Sequence, residues 1–133
     1  MKVDIHTEQQ VLSTMDVFFD AYSRRDLTGV LGLFLPDPDV VLIGTESDER
    51  LVGLNAIGER LQDDWSRTDE LSMKTTWHSL SGKEDVCWLA AEIMVTISAE
   101  GSRIQLPARI TVVLERREER WLIAHWHSSL ARE

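Results

Sequence analysis

ARITVVLERREERWLIAHWHSS, residues 108 to 129, holds two apolar runs joined by a charged break, and its reading decides the fold. Together with Ile104 and Leu106 just before it, the even positions Ala108, Ile110, Val112 and Leu114 are apolar. The odd positions Arg103, Gln105, Arg109, Thr111 and Glu115 are polar. A period of two is that of a strand burying one face. After RREER (116–120), Trp121 to Leu130 is apolar at both parities, as a central strand covered on two sides would be. The two runs therefore form a hairpin, and loop length decides which way its side chains point. A three-residue loop pairing Arg116 with Arg120 sets Leu114 opposite Leu122, Val112 opposite Ala124 and Ile110 opposite Trp126. Trp126 and Ser128 then join the apolar face, with His125 and His127 on the other. A two-residue loop reverses this, because a slip of one residue flips every side chain. The three-residue loop is the reading adopted.

Working outward, SAEG (98–101) and SGKED (81–85) mark two earlier turns between long strands. Val86 to Ser98 is apolar at both parities, and Pro107 should bulge its strand and bend the sheet. The first half is helical. Thr7 with Gln10 is a capping-box pattern, and Val11, Leu12, Met15, Phe18, Phe19 and Tyr22 form an apolar stripe. Asp26 caps a shorter helix carrying Leu27, Val30, Leu31 and Phe34, ended by Pro36 and Pro38. VVLIG (40–44) and Leu51-Val52 are strand-like, and Ile57, Leu61 and Trp65 mark a third helix. There is no internal repeat or linker, so residues 1–133 are expected to form one domain. Three helices packed on a strongly curved antiparallel sheet give an α+β fold.

With 23 acidic against 14 basic residues the formal charge is −9, and the basic pair Arg116-Arg117 runs straight into Glu118-Glu119. Nucleic acid and anionic membranes are poor partners for such a chain. The single cysteine, Cys87, precludes an intramolecular disulfide and suits a reducing compartment. MKVDIHTEQQ has no apolar core of a signal peptide and no apolar run is long enough to cross a membrane, so a cytoplasmic location is expected.

The element order resembles the nuclear transport factor 2-like superfamily, with its cystatin-like cone. FFDAYSRRDLTGVLGLFLPDPDVVLIG (18–44), GLNAIGERL (53–61) and the opening stretch are similar to its SnoaL-like branch. The histidine–aromatic–histidine ending also resembles the association domain of calcium/calmodulin-dependent kinase. The resemblance implies a pocket between the helices and the concave sheet face, and dimerisation through the convex face. Tyr22, Phe34, Trp65, Trp126 and Ser128 are then the expected lining, mostly apolar with a few polar groups. Compared with ketosteroid isomerase, the tyrosine position falls on Phe18 and the base position near Leu42 or Ile43, so its acid–base set is absent.

His125 and His127 share a strand face, but a third metal ligand would have to come from His78, Glu92 or Cys87, none in a ligand motif. No metal and no cofactor are expected. If Glu100-Gly101 is a two-residue turn, Glu92 lies opposite Arg109. A cross-strand ion pair is the preferred reading over an arginine anchor for a substrate carboxylate. Glu92, Arg109, His125 and His127 are thus assigned to a dimer face or to an alternative site. Cys87 reads as a small buried hydrophobe.

The leading expectation is a homodimer that binds a small, largely apolar organic molecule in the cone. One alternative is a metal-free lyase or isomerase of the polyketide cyclase or dehydratase type, using His125 or His127 as base. The other is a non-catalytic oligomerisation module.

Overall fold

The computed structural model describes residues 1–131; the expected single domain, 1–133, ends two residues beyond them. Helix α1 (Ile5–Ser23) starts one turn earlier than the Thr7 pattern suggests, because Asp4 accepts a 2.8 Å hydrogen bond from the Thr7 amide. It buries Val11, Met15, Phe18 and Phe19, the i, i+4, i+7, i+8 stripe of an amphipathic helix. Asp26 caps the short helix α2 (Leu27–Leu31) by accepting from the Gly29 amide. Strands β1 (Val41–Ile43) and β2 (Arg50–Val52) precede helix α3 (Leu54–Ser66), which buries Ile57, Leu61 and Trp65. Gly53 joins β2 to α3 at φ 85°, a backbone geometry that suits glycine. The long strands β3 (Glu70–Lys83), β4 (Val86–Ala99), β5 (Ser102–Arg117) and β6 (Arg120–Leu130) follow.

All six strands form one sheet in the order β2-β1-β6-β5-β4-β3. The sheet is mixed, a correction to the antiparallel expectation: β1 runs parallel to β6, pairing Leu42 with Trp126. Leu33–Leu35 extends that parallel edge, exchanging amide and carbonyl hydrogen bonds with Ile123.

The β5–β6 loop is also corrected. It is a two-residue turn at Glu118-Glu119 that pairs Arg117 with Arg120. Both glutamates have positive φ, 50° and 65°, the mirror-image turn whose twist matches a hairpin. The expected partners of Leu114, Val112 and Ile110 are not the ones observed, but beyond a bulge the side chains keep their expected faces. Leu114 pairs with Ile123 but Val113 pairs with His125, which leaves Ala124 as a bulge without a partner. The bulge adds a second residue to the one-residue slip, and a total shift of two restores the original facing. Beyond it Val112 faces Trp126 and Ile110 faces Ser128, while Thr111 faces His127.

Pro107 makes no bulge; it pairs in register with Met94. Its carbonyl points past the end of β6 to the Ala131 amide, so its missing N–H lies on the same side, where no strand needs it. The register breaks instead at Ala124 and at Thr76, where β3 slips against β4, and bulges of this kind bend a strand. Strand β4 alternates after all, with Cys87, Leu89, Ala91 and Ile93 buried and Val86, Trp88, Ala90 and Glu92 exposed. Its second apolar face is bare in the single chain. Among the described residues, no helix is long and apolar enough to cross a membrane.

Candidate functional site

The bent sheet and the helices enclose a cavity of about 820 Å³. Its walls follow from the parities above. Ile93, Val95 and Ile97 of β4, Leu106, Ala108 and Ile110 of β5, and Trp126 and Ser128 of β6 all point into it. Phe18 and Tyr22 close it from α1, and Ile57 and Leu61 from α3. Trp126 stacks on Phe18 with ring centroids 4.7 Å apart. Its indole N–H donates to Ser128 Oγ at 3.1 Å, and Ser128 in turn donates to the Ile43 carbonyl. The polar edge of the indole is thereby satisfied, leaving its ring to an apolar wall.

Of the five residues expected in the lining, Tyr22, Trp126 and Ser128 are there. Phe34 and Trp65 are not: each lies one layer behind, Phe34 against Phe18 and Trp65 against Tyr22. The Trp65 indole N–H is buried with no acceptor among the described residues.

One end of the cavity is charged, which the sequence reading missed. The segment between β1 and β2 supplies Glu46, Asp48 and Glu49, and the end of α3 supplies Arg60, Asp63, Asp64 and Arg67. Gly44 donates to the Glu49 carbonyl at 2.8 Å, and Glu49 Oε1 accepts from the Glu46 amide at 3.0 Å. A Cβ on Gly44 would come within 2.7 Å of the Glu49 carboxyl carbon, so glycine makes the room in which that carboxylate sits. Arg60 bonds Asp48 at 3.0 Å and only approaches Glu49, at 3.9 Å. Burial, reinforced by the Glu49 charge, holds the Asp64 carboxyl above its ordinary value. Burial first, then Asp64 and Glu49, pushes the Tyr22 phenol upward as well, so at neutral pH it is a hydrogen-bond donor and not a phenolate. A signal for Asp64 was present in the sequence. It stands three residues after Leu61 and seven after Ile57, a carboxylate on the apolar stripe of its helix.

No histidine lines the cavity. His125 and His127 lie on the opposite, convex face, with ring centroids 6.5 Å apart, beside Val113 and Thr111 of β5. A lyase that uses either as a base inside the cone is therefore set aside. Their candidate third ligands do not gather around them. His78 points to α1 and bonds Glu8 at 3.1 Å, and Cys87 is buried, its thiol pushed up by burial. Glu92 is taken by Arg109 at 3.4 Å, an exposed cross-strand pair that the two-residue turn at Glu100-Gly101 puts in register. Trp77, Trp88 and Val86 share this convex face and are exposed.

A family model described as a SnoaL-like domain matches residues 11–133. The chain is similar in structure to a provisionally named dehydratase of the NTF2-like family from Streptomyces avermitilis. The TM-score is 0.85 at 18% identity, covering 94% of this chain and 97% of that one. It is also similar to a provisionally named calcium/calmodulin-dependent protein kinase II association domain from Xanthomonas campestris. Here the TM-score is 0.81 at 24% identity, with 92% and 86% covered. A protein of unknown function with a cystatin-like fold from Nostoc punctiforme matches at TM-score 0.82 and 11% identity, over 100% and 97%. At these identities the likeness is one of fold. No curated protein matches the sequence.

Proposed function

The chain belongs to the SnoaL-like domain family, and from that premise we propose that it binds a small, largely apolar organic molecule in the cavity between sheet and helices. The observation that carries this reading is the cavity itself. Its volume is that of a small-molecule site, its walls are aliphatic and aromatic, and its polar groups gather at one end. The test is titration with the neutral fluorophore N-phenyl-1-naphthylamine. Saturable binding of about one probe per chain is expected, lost in Val95→Trp, which places an indole in the cavity. Equal probe uptake by wild type and Val95→Trp would refute the site.

A second element of the proposal is self-association through the convex face. Trp77 is 52% exposed and Trp88 40% exposed, both on the convex face of the sheet. Two large aromatics on one open face are what a partner sheet would bury. Assembly can accompany ligand binding or be the purpose of the domain, as the likeness to an association domain suggests. Sedimentation should show a dimer or larger for the wild type and a monomer for Trp88→Glu; a monomeric wild type at micromolar concentration refutes it.

A further inference from the structure

The cavity is amphipathic, and the charge at its polar end is negative in sum. Carboxylates outnumber guanidinium groups there five to two. The two arginines are already engaged. Arg60 is committed to Asp48, and the exposed Arg67 divides itself between Asp63 and Asp64 at 2.8 and 3.3 Å. Glu49 is different. Its side chain is only 12% exposed, and its nearest cation, Arg60, stands at 3.9 Å. The Glu46 amide satisfies Oε1, but a carboxylate so far removed from water with its cation at the limit of ion-pair distance is under-compensated, and Asp64 beside it adds a like charge. Burial first, and the Glu49 charge after it, hold the Asp64 carboxyl above its ordinary value.

A ligand anion brought to this end would meet repulsion and find no free guanidinium. A ligand cation would supply the missing counter-charge. Next to the carboxylates stand the hydroxyl and ring of Tyr22, with Phe18 stacked on it at a 6.1 Å centroid separation. Aromatic rings tolerate a desolvated ammonium far better than aliphatic walls do.

Resting on the proposed ligand site, we propose that the molecule it takes is an amine, with an apolar body against Trp126 and Ile110 and a protonated nitrogen held between Glu49, Asp64 and Tyr22.

Three compounds with one skeleton separate this idea from the reading beneath it: 1-adamantanamine, 1-adamantanol and adamantane-1-carboxylate, titrated calorimetrically at pH 7. The amine is expected to bind at least tenfold more tightly than the alcohol, and the carboxylate at least tenfold more weakly. Glu49→Gln should reduce amine affinity by about five- to tenfold and leave the alcohol within twofold. Glu118→Gln, the same charge change in the distant β5–β6 turn, should alter neither. If the alcohol binds and the amine gains nothing over it, or if Glu118→Gln matches Glu49→Gln, the amine assignment is overturned while the apolar site stands. If none of the three saturates, the ligand site itself fails, and the inference with it.

Discussion

Trp126 of the last strand stacks on Phe18 of the first helix, 4.7 Å between ring centroids and 28° from parallel. One contact thus links the two ends of the chain and forms a wall of the cavity. Trp126 is 4% exposed, and its ring is held in place by the bond from its indole to Ser128.

Trp126→Ala should therefore lower stability by about 3–5 kcal/mol, the usual range for truncating a large buried aromatic. It should also abolish binding of a neutral apolar probe. Trp126→Phe keeps the stack and loses only the hydrogen bond to Ser128, so denaturant melts should place it much closer to the wild type. A fall as large for Phe as for Ala would mean that the hydrogen bond, not the stack, dominates.

His125 sits across the sheet from that wall, paired with Val113 and Val41. His125→Ala should leave probe affinity within a factor of a few and weaken self-association, read by probe titration and sedimentation on the same samples. Loss of probe binding with association intact would place the histidine inside the cavity and contradict the register described above.

That register shows how far the sequence could be read. The alternation of β5 was plain, because every second residue from Ile104 to Leu114 is apolar. The face of Trp126 was assigned correctly through a wrong loop. A two-residue turn followed by a bulge moves the strand two residues from the register of a three-residue loop, which returns each side chain to the same face, and nothing in LIAHW marks Ala124 as the extra residue. The turn itself was hidden because positive φ falls on Glu118 and Glu119, where Asn-Gly would have announced it. The charged end of the cavity was out of reach for another reason. Asp64 stood on the apolar stripe of α3, but its neighbour Glu49 enters through a loop whose path depends on Gly44, which no periodicity marks.

The same turn offers a stability test. Two glutamates in the left-handed region are each strained relative to the residues that prefer it. Replacing them with Glu118→Asn and Glu119→Gly should raise stability by about 1 kcal/mol, seen as a Tm rise of about 3–5 °C. An unchanged or lower Tm would mean that the two glutamate side chains contribute more than the strain removes.

Asp64 makes a prediction about pH. Burial raises its folded-state carboxyl above the unfolded value of 3.8, so folding favours the protonated form. That contribution is fully present below the unfolded value and is lost as pH rises through the folded one. At pH 7 the ionised, half-buried carboxylate is therefore unfavourable relative to a neutral isostere. Asp64→Asn should gain on the wild type between pH 4 and pH 7, measured as the difference in denaturation midpoints. A difference that shrinks over that interval would show that Arg60 and Arg67 more than offset the burial.

In the proposed function the concave face is the ligand site and the convex face is not. Methyl-resolved NMR of the protein titrated with 1-adamantanol tests it directly, because apolar methyl groups stand on both faces. Saturable shifts are predicted at Ile93, Val95, Ile97 and Ile110, which line the cavity, with Val41, Val86 and Val113 on the other face unmoved. Shifts confined to Val41, Val86 and Val113 would contradict it.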